Sequence, residues 1–256
     1  MGEQLPVPLS ASKLKTFDAC PKRFQLHYVD RLPAEGADNR YIRRGNAVHE
    51  AIESYLTDRD ATGDDQSQVA FDLKREYWDA GGQQTYRLSD DDNGFVVDCL
   101  EVAARPLADL DDQIVAVEAS LPFEDAAVDH AEGFQGYADL VTATEVWDWK
   151  TGSSDGQQLS ETLQGAVYMA GFASHMGRPP DAVRFLYLKE EKQQTHTPSD
   201  EMYQTMRDKA SGLLDAVTFG QFPADPGESK CHWCDYELHC SASPVGAGGI
   251  SWRQYP

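Results

Sequence analysis

The sequence predicts an α/β protein with a central mixed sheet flanked by helices, an N-terminal helical region and a C-terminal cysteine-rich segment. Three observations carry this expectation. Ile114–Phe123, Phe134–Thr142 and Glu145–Trp149 are short runs rich in β-branched and aromatic residues, separated by turn-like breaks. A helical pattern over Leu159–Met176 and a further strand over Ala182–Lys189 follow, giving the order β-β-β-α-β. The last three of the five cysteines stand close together in a Gly- and Pro-rich tail that packs poorly unless something else fixes it. The 256 residues read as one domain (1–256), mainly helical over 10–110, α/β over 111–219 and cysteine-rich over 220–256.

From the N-terminus, Ser10 is placed to cap a helix carrying Leu14 and Phe17, and Pro21 opens a second helix carrying Phe24 and Tyr28, with Cys20 at the junction. Pro33–Asn39, rich in Gly, Ala and acids, reads as a loop. Ile42–Leu56 resumes a helical pattern that contains His49. The run ATGDDQSQ and the polar segment GGQQTYRLSDDDNG read as surface loops around helices at Val69–Trp78 and Phe95–Leu107, a peripheral helical region. After the sheet, Glu201–Phe219 predicts another helix.

A hydrophobic content of 41% can fill an ordinary core. No apolar run reaches the roughly 20 residues of a membrane helix, and MGEQLPVPLS lacks the basic and apolar regions of a secretory signal, so a cytoplasmic location with no membrane partner is expected. The formal charge of -21 argues against a polyanionic partner, although a diffuse acidic surface also suits a protein working in very salty cytoplasm. Locally the sign reverses. Between Lys13 and Arg44 eight bases face four acids, a net of +4, so a basic patch sits in an acidic shell.

The chemistry-bearing residues begin with Asp139, which ends Gly136-Tyr137-Ala138-Asp139, and continue nine residues later with Asp148-Trp149-Lys150 on the next strand. Side chains alternate across a strand, so Asp148 and Lys150 share one face while Trp147 and Trp149 point to the other and pack. If the two strands pair as a hairpin, Asp139 approaches Asp148. The pair then offers hard oxygen ligands suited to Mg²⁺ or Mn²⁺, and Lys150 is placed to position a water and meet the charge growing on a phosphate. One helix further on, Gln164 and Tyr168 stand at i and i+4 and so share a helix face.

G-x-x-D, then D-x-K, then Q-x-x-x-Y resembles the RecB-like branch of the PD-(D/E)XK nucleases, and Gly45 and His49 within RRGNAVHE match that branch's upstream G-x-x-x-H. The resemblance spans most of the chain in the family's order and implies a restriction-endonuclease-like core. It implies that Asp139 and Asp148 bind metal, that Lys150 is catalytic, and that His49 is a further metal ligand, with Glu118 on the preceding strand a weaker candidate. Gln164 and Tyr168 then orient Lys150 or touch nucleic acid.

Without an export signal the odd number of thiols favours metal binding over a disulfide framework. Cys231, Cys234 and Cys240 form C-x₂-C-x₅-C, and Cys20 is a distant fourth. Four thiolates satisfy zinc or an iron–sulfur cluster. The one-plus-three division resembles the iron–sulfur staple of RecB-like nucleases, including the AddB type and the CRISPR-adaptation exonucleases, and so implies a [4Fe-4S] cluster ahead of zinc. His232 and His239 flank the trio as substitute zinc ligands, and Cys99 is left over as a core residue.

The sequence thus points to a DNA nuclease, as the resemblance implies an exonuclease on single-stranded ends, with Phe17, Phe24 and Tyr28 available to stack bases. No G-x-x-x-x-G-K-[ST] loop is present, so unwinding requires a helicase partner, and a CRISPR-adaptation protein is the other expected partner. Two other classes remain open here: a non-catalytic DNA-binding or assembly subunit, and a zinc-stabilised interaction protein.

Overall fold

The structure, a computed structural model, describes residues 7–34, 39–57, 65–130 and 132–244. Its centre is a five-stranded mixed sheet in the order β1-β2-β3-β4-β5, formed by β1 (Ile114–Phe123), β2 (Phe134–Thr142), β3 (Glu145–Lys150), β4 (Ala182–Tyr187) and β5 (Lys192–His196). β1, β2 and β3 form an antiparallel meander, β3 and β4 pair in parallel, and β5 returns antiparallel. The parallel pair needs a crossover, which α7 (Gln158–Met176) supplies.

Helices cover both faces. Leu14 of α1 (Ala11–Ala19), Leu163 and Phe172 of α7, and Met206 and Leu213 of α8 (Asp200–Phe219) bury one face with Val146, Val183 and Phe185. α3 (Arg40–Leu56), α4 (Gln66–Asp79) and α6 (Asp90–Ala108) bury the other through Ile52, Leu73 and Leu100 against Leu140, Trp147, Trp149 and Leu186. The helical region expected to be peripheral is therefore the second covering layer. Two short helices, α2 (Pro21–Phe24, continued by a π-helical turn over Gln25–Val29) and α5 (Gly82–Thr85), and the single turn α9 (Glu228–His232) complete the set among the described residues. No helix among the described residues is long and apolar enough to cross a membrane.

Several boundaries move for local reasons. Ser89 accepts the N–H of Asp92 and three acids occupy the first turn, so DDDNG, expected as loop, opens α6, where the helix dipole favours negative charge. Asp65 caps α4 in the same way, which draws Gln66–Gln68 out of the expected loop, while its residues 61–64 lie outside the described residues, as do 35–38 of the Pro33–Asn39 loop and 245–256 of the tail. The strand expected over Ala182–Lys189 ends at Tyr187 in a 3₁₀ turn over Leu188–Glu190, which leads into the unanticipated β5. Phe24 is fully buried against Phe17, Tyr28 and Phe222 and is unavailable to bases, and Phe17 and Tyr28 pack on the same core.

The turn between β2 and β3 is held from outside. Asp112 accepts hydrogen bonds from Thr142 Oγ1 (2.7 Å), Thr144 Oγ1 (2.6 Å) and the Thr144 N–H (2.9 Å), bracing the hairpin that carries Asp139 and Asp148. Burial would raise its carboxyl, but these donors outweigh burial and hold it below the ordinary carboxylate value. A depressed folded pKa means stability present above the unfolded pKa and lost as pH falls through the folded one. Asp112→Ala is expected to cost about 1–2 kcal/mol at neutral pH, an amount reduced by the site's exposure, and the gap from wild type should close below about pH 4. Urea unfolding at pH 7 and pH 3 measures both.

Candidate active site

Both motif glycines act through close approach. A Cβ on Gly136 would stand 3.1 Å from Val167 and 3.2 Å from the Tyr168 ring, so its absence lets α7 settle onto β2. The Tyr168 hydroxyl then donates to Asp148 Oδ1 at 2.7 Å and reaches the Tyr137 carbonyl at 2.5 Å. A Cβ on Gly45 would stand 3.3 Å from Thr151 Oγ1, where α3 passes the end of β3. One turn further along α3, His49 Nδ1 lies 3.1 Å from Asp139 Oδ1.

Asp139 and Glu118 stand where the sheet changes course. Ala119 faces one core cluster and Val117 the other, and across Asp139 the same exchange separates Ala138 from Leu140. Residues two apart should share a face, so both strands rotate at this level. Glu118 absorbs the change on β1 with φ +49°, a left-handed conformation costly for a residue with a Cβ. The β2–β3 ladder pairs Leu140 with Trp147 and Val141 with Val146. Beyond it the Trp149 N–H donates instead to the Asp139 side chain, at 2.6 Å to Oδ2. The hairpin expected from the sequence is thus present, and where its strands part the carboxylates are gathered.

His49, Glu118 and Asp139 each offer a ligand atom within 4.8 Å of the others. Asp148 is buried beside them and turned toward Lys150, whose Nζ lies 2.5 Å from Oδ2, a buried oxygen with no further polar partner among the described residues. Gln164 links the pair: its Oε1 accepts from Lys150 Nζ at 2.9 Å and its Nε2 donates to Asp148 Oδ1 at 2.7 Å. As expected, Asp148 and Lys150 share the face of α7, and Trp147 and Trp149 pack on the other.

The electrostatics are those of crowded negative charge. Burial, then Asp139 and Glu53, raise the Glu118 carboxyl to about 7. Burial raises Asp148 as well, with Lys150 opposing it. Burial would lower His49, but the Asp139 hydrogen bond and charge outweigh it and raise its proton affinity. Such a group favours a cation, and one histidine with carboxylate oxygens is a donor set for a divalent metal ion. Sequence reasoning ranked Glu118 low, because a left-handed residue inside a strand leaves no motif. It also missed Lys15 of α1, whose ammonium burial and Lys150 lower while Asp148 opposes, an indication that α1 brings a base near the pair. No sequence signal marks the adjoining buried Glu161, which accepts from Tyr187 (2.5 Å) and lies 2.9 Å from His196 Nε2.

Cys20, Cys231, Cys234 and Cys240 line one cavity of about 180 Å³ with Arg23, Leu26, Lys230 and Trp233, and all are free thiols. His232 and His239 do not line it. Independently of any occupant, the two ends of the chain meet around it: Arg23 pairs with Asp235 at 3.2 Å, the Lys22 N–H donates to the Pro223 carbonyl, and Phe24 stacks on Phe222. Cys99 is buried in the helical layer, and burial pushes its thiol up to about 12, as suits a core cysteine.

A family model described as the PD-(D/E)XK nuclease superfamily matches residues 8–241. A solved structure from Eubacterium rectale, provisionally named an exonuclease, is similar over 91% of this chain and 87% of its own, with a TM-score of 0.51 and 14% identity. A second, SSO0001, covers 78% and 96% with a TM-score of 0.38 and 13% identity. No curated protein matches the chain.

Proposed function

We propose, from the fact that this chain belongs to the PD-(D/E)XK nuclease superfamily, that it is a divalent-cation-dependent DNA nuclease acting on single-stranded ends as an exonuclease. The observation that carries the reading is the His49, Glu118 and Asp139 donor group lying against the Asp148–Lys150 pair. His49, Glu118, Asp139 and Asp148 would hold Mg²⁺ or Mn²⁺, which when bound supplies Lewis acidity toward a phosphate oxygen and acidifies a water.

The chain's own residues do the rest. Lys150 donates to the attacking water or to the phosphate, where negative charge grows. Gln164 keeps the Lys150 ammonium aimed by accepting from it, and with a second proton directed at Asp148 Oδ2 the third is left for substrate. Tyr168 stays protonated, burial and Asp148 raising its hydroxyl well above the ordinary value, so it remains a donor that fixes Asp148. The base-rich segment Lys13–Arg44 leads into α3, with Lys15 near enough to feel the charges of Lys150 and Asp148, and suits a phosphate backbone.

A [4Fe-4S] cluster is taken ahead of zinc on the one-plus-three division of the four cysteines that line the cavity, a cluster bonding each thiolate to a separate iron. Arg23 and Lys230 line the cavity and offset thiolate charge. With the cluster, the RecB-like reading and a helicase or CRISPR-adaptation partner follow as parts of the same proposal.

The test is cleavage of end-labelled single-stranded and duplex DNA by anaerobically purified protein with Mg²⁺, Mn²⁺ or EDTA. Stepwise shortening of the single strand, absent in EDTA, is expected. A folded, brown, cluster-loaded protein that cuts neither substrate in either metal would instead be a DNA-binding or assembly subunit.

A further inference from the structure

Tyr137 is an interior-strand residue with an aromatic ring in the open. Gly136 and Ala138 turn toward α7, so Tyr137 projects from the opposite face, the one that α3, α4 and α6 cover elsewhere, and there it is 66% exposed. Its neighbours on that face, Ser120 and Pro122 of β1, are exposed as well, and Gln135 is half-buried. Together they leave a bare strip of sheet beginning at Glu118 and Asp139, beside the helix that delivers His49. An exposed tyrosine on a central strand gains nothing from its neighbours' burial.

The backbone under that ring is tied to the reaction centre. The Tyr137 carbonyl lies 2.5 Å from the Tyr168 hydroxyl that donates to Asp148, and two residues on, Asp139 belongs to the donor group. An aromatic face on a rigid strand, two residues from a phosphate-hydrolysing centre, is the geometry for holding the base of a neighbouring nucleotide. We infer that Tyr137 is a base-stacking platform that selects an unpaired nucleotide next to the scissile phosphate. Only a base freed from its duplex partner can turn onto the ring, so the platform gives the site its preference for single strands. The inference rests on the nuclease reading above and deepens it.

Binding of a fluorescein-labelled oligothymidylate is measured by anisotropy in EDTA, and steady-state cleavage in Mn²⁺, for wild type, Tyr137→Ala and Tyr137→Phe. Tyr137→Ala is expected to weaken binding and raise KM about tenfold with a smaller fall in kcat, and Tyr137→Phe, which keeps the ring, to restore binding to within about twofold of wild type. An abasic residue is also walked along the oligonucleotide. At one position it should weaken wild-type binding about tenfold and leave Tyr137→Ala indifferent. Equal sensitivity of both proteins at every position, or wild-type affinity in Tyr137→Ala, overturns the platform. A wild type that binds and senses the abasic position without cutting keeps the platform and removes the nuclease reading, while one that neither binds nor cuts removes both.

Discussion

Asp148→Asn is expected to lower metal-dependent DNA cleavage at least about a hundredfold while the protein stays folded. The amide oxygen can still accept from Tyr168 and Gln164, the two donors on Oδ1, so the buried contacts with α7 survive. What changes is the other position, where an NH₂ replaces the oxygen that faces the Lys150 ammonium at 2.5 Å, setting donor against donor and removing a charge from the cation site. Lys150→Ala should cost about 10²–10³ in kcat through loss of transition-state stabilisation, but it also strips a buried carboxylate of its counter-charge, a loss of about 3–5 kcal/mol. The asparagine variant therefore separates chemistry from folding. Wild-type cleavage by Asp148→Asn, with unfolding temperature unchanged, would remove Asp148 from the site.

Much of this constellation was legible because its motifs follow from strand and helix periods. Asp148 and Lys150 share a face by the two-residue repeat, and Gln164 and Tyr168 meet them by the four-residue repeat of α7. β1 and β2 occupy the spans expected from their β-branched patterning. β5, by contrast, is the segment KQQTH at a sheet edge, with no apolar alternation to betray it, and it exists because β4 offers it a ladder. Phe24 was misassigned for a related reason. An aromatic beside basic residues looks like a base platform in sequence, and only the packing of α2 against Phe222 reveals it as core. Glu118 was undervalued because its position depends on a left-handed backbone within a strand, which tertiary packing imposes.

Those same packing contacts bear on the four cysteines, where Cys20→Ser is expected to destabilise the protein strongly if the proposed cluster is held there. Cys20 stands at the α1–α2 junction and the other three cysteines of the cavity lie more than two hundred residues later, so a metal centre held by all four would cross-link nearly the whole chain. Treated as a simple cross-link, a loop of that length restricts the unfolded chain by about 5 kcal/mol. The direct contacts between the two ends, Arg23 with Asp235, Phe24 with Phe222 and Lys22 with Pro223, remain in the variant and recover part of that. If the proposed cluster is bound there, Cys20→Ser should lose its brown colour and melt at markedly lower temperature, yet retain a folded sheet at low temperature. Cys99→Ser, outside the cavity, should keep the colour. Iron content and thermal unfolding of the two variants side by side decide the matter: colour kept in Cys20→Ser removes that ligand, and colour lost in Cys99→Ser would move the cofactor away from the cavity where the chain ends meet.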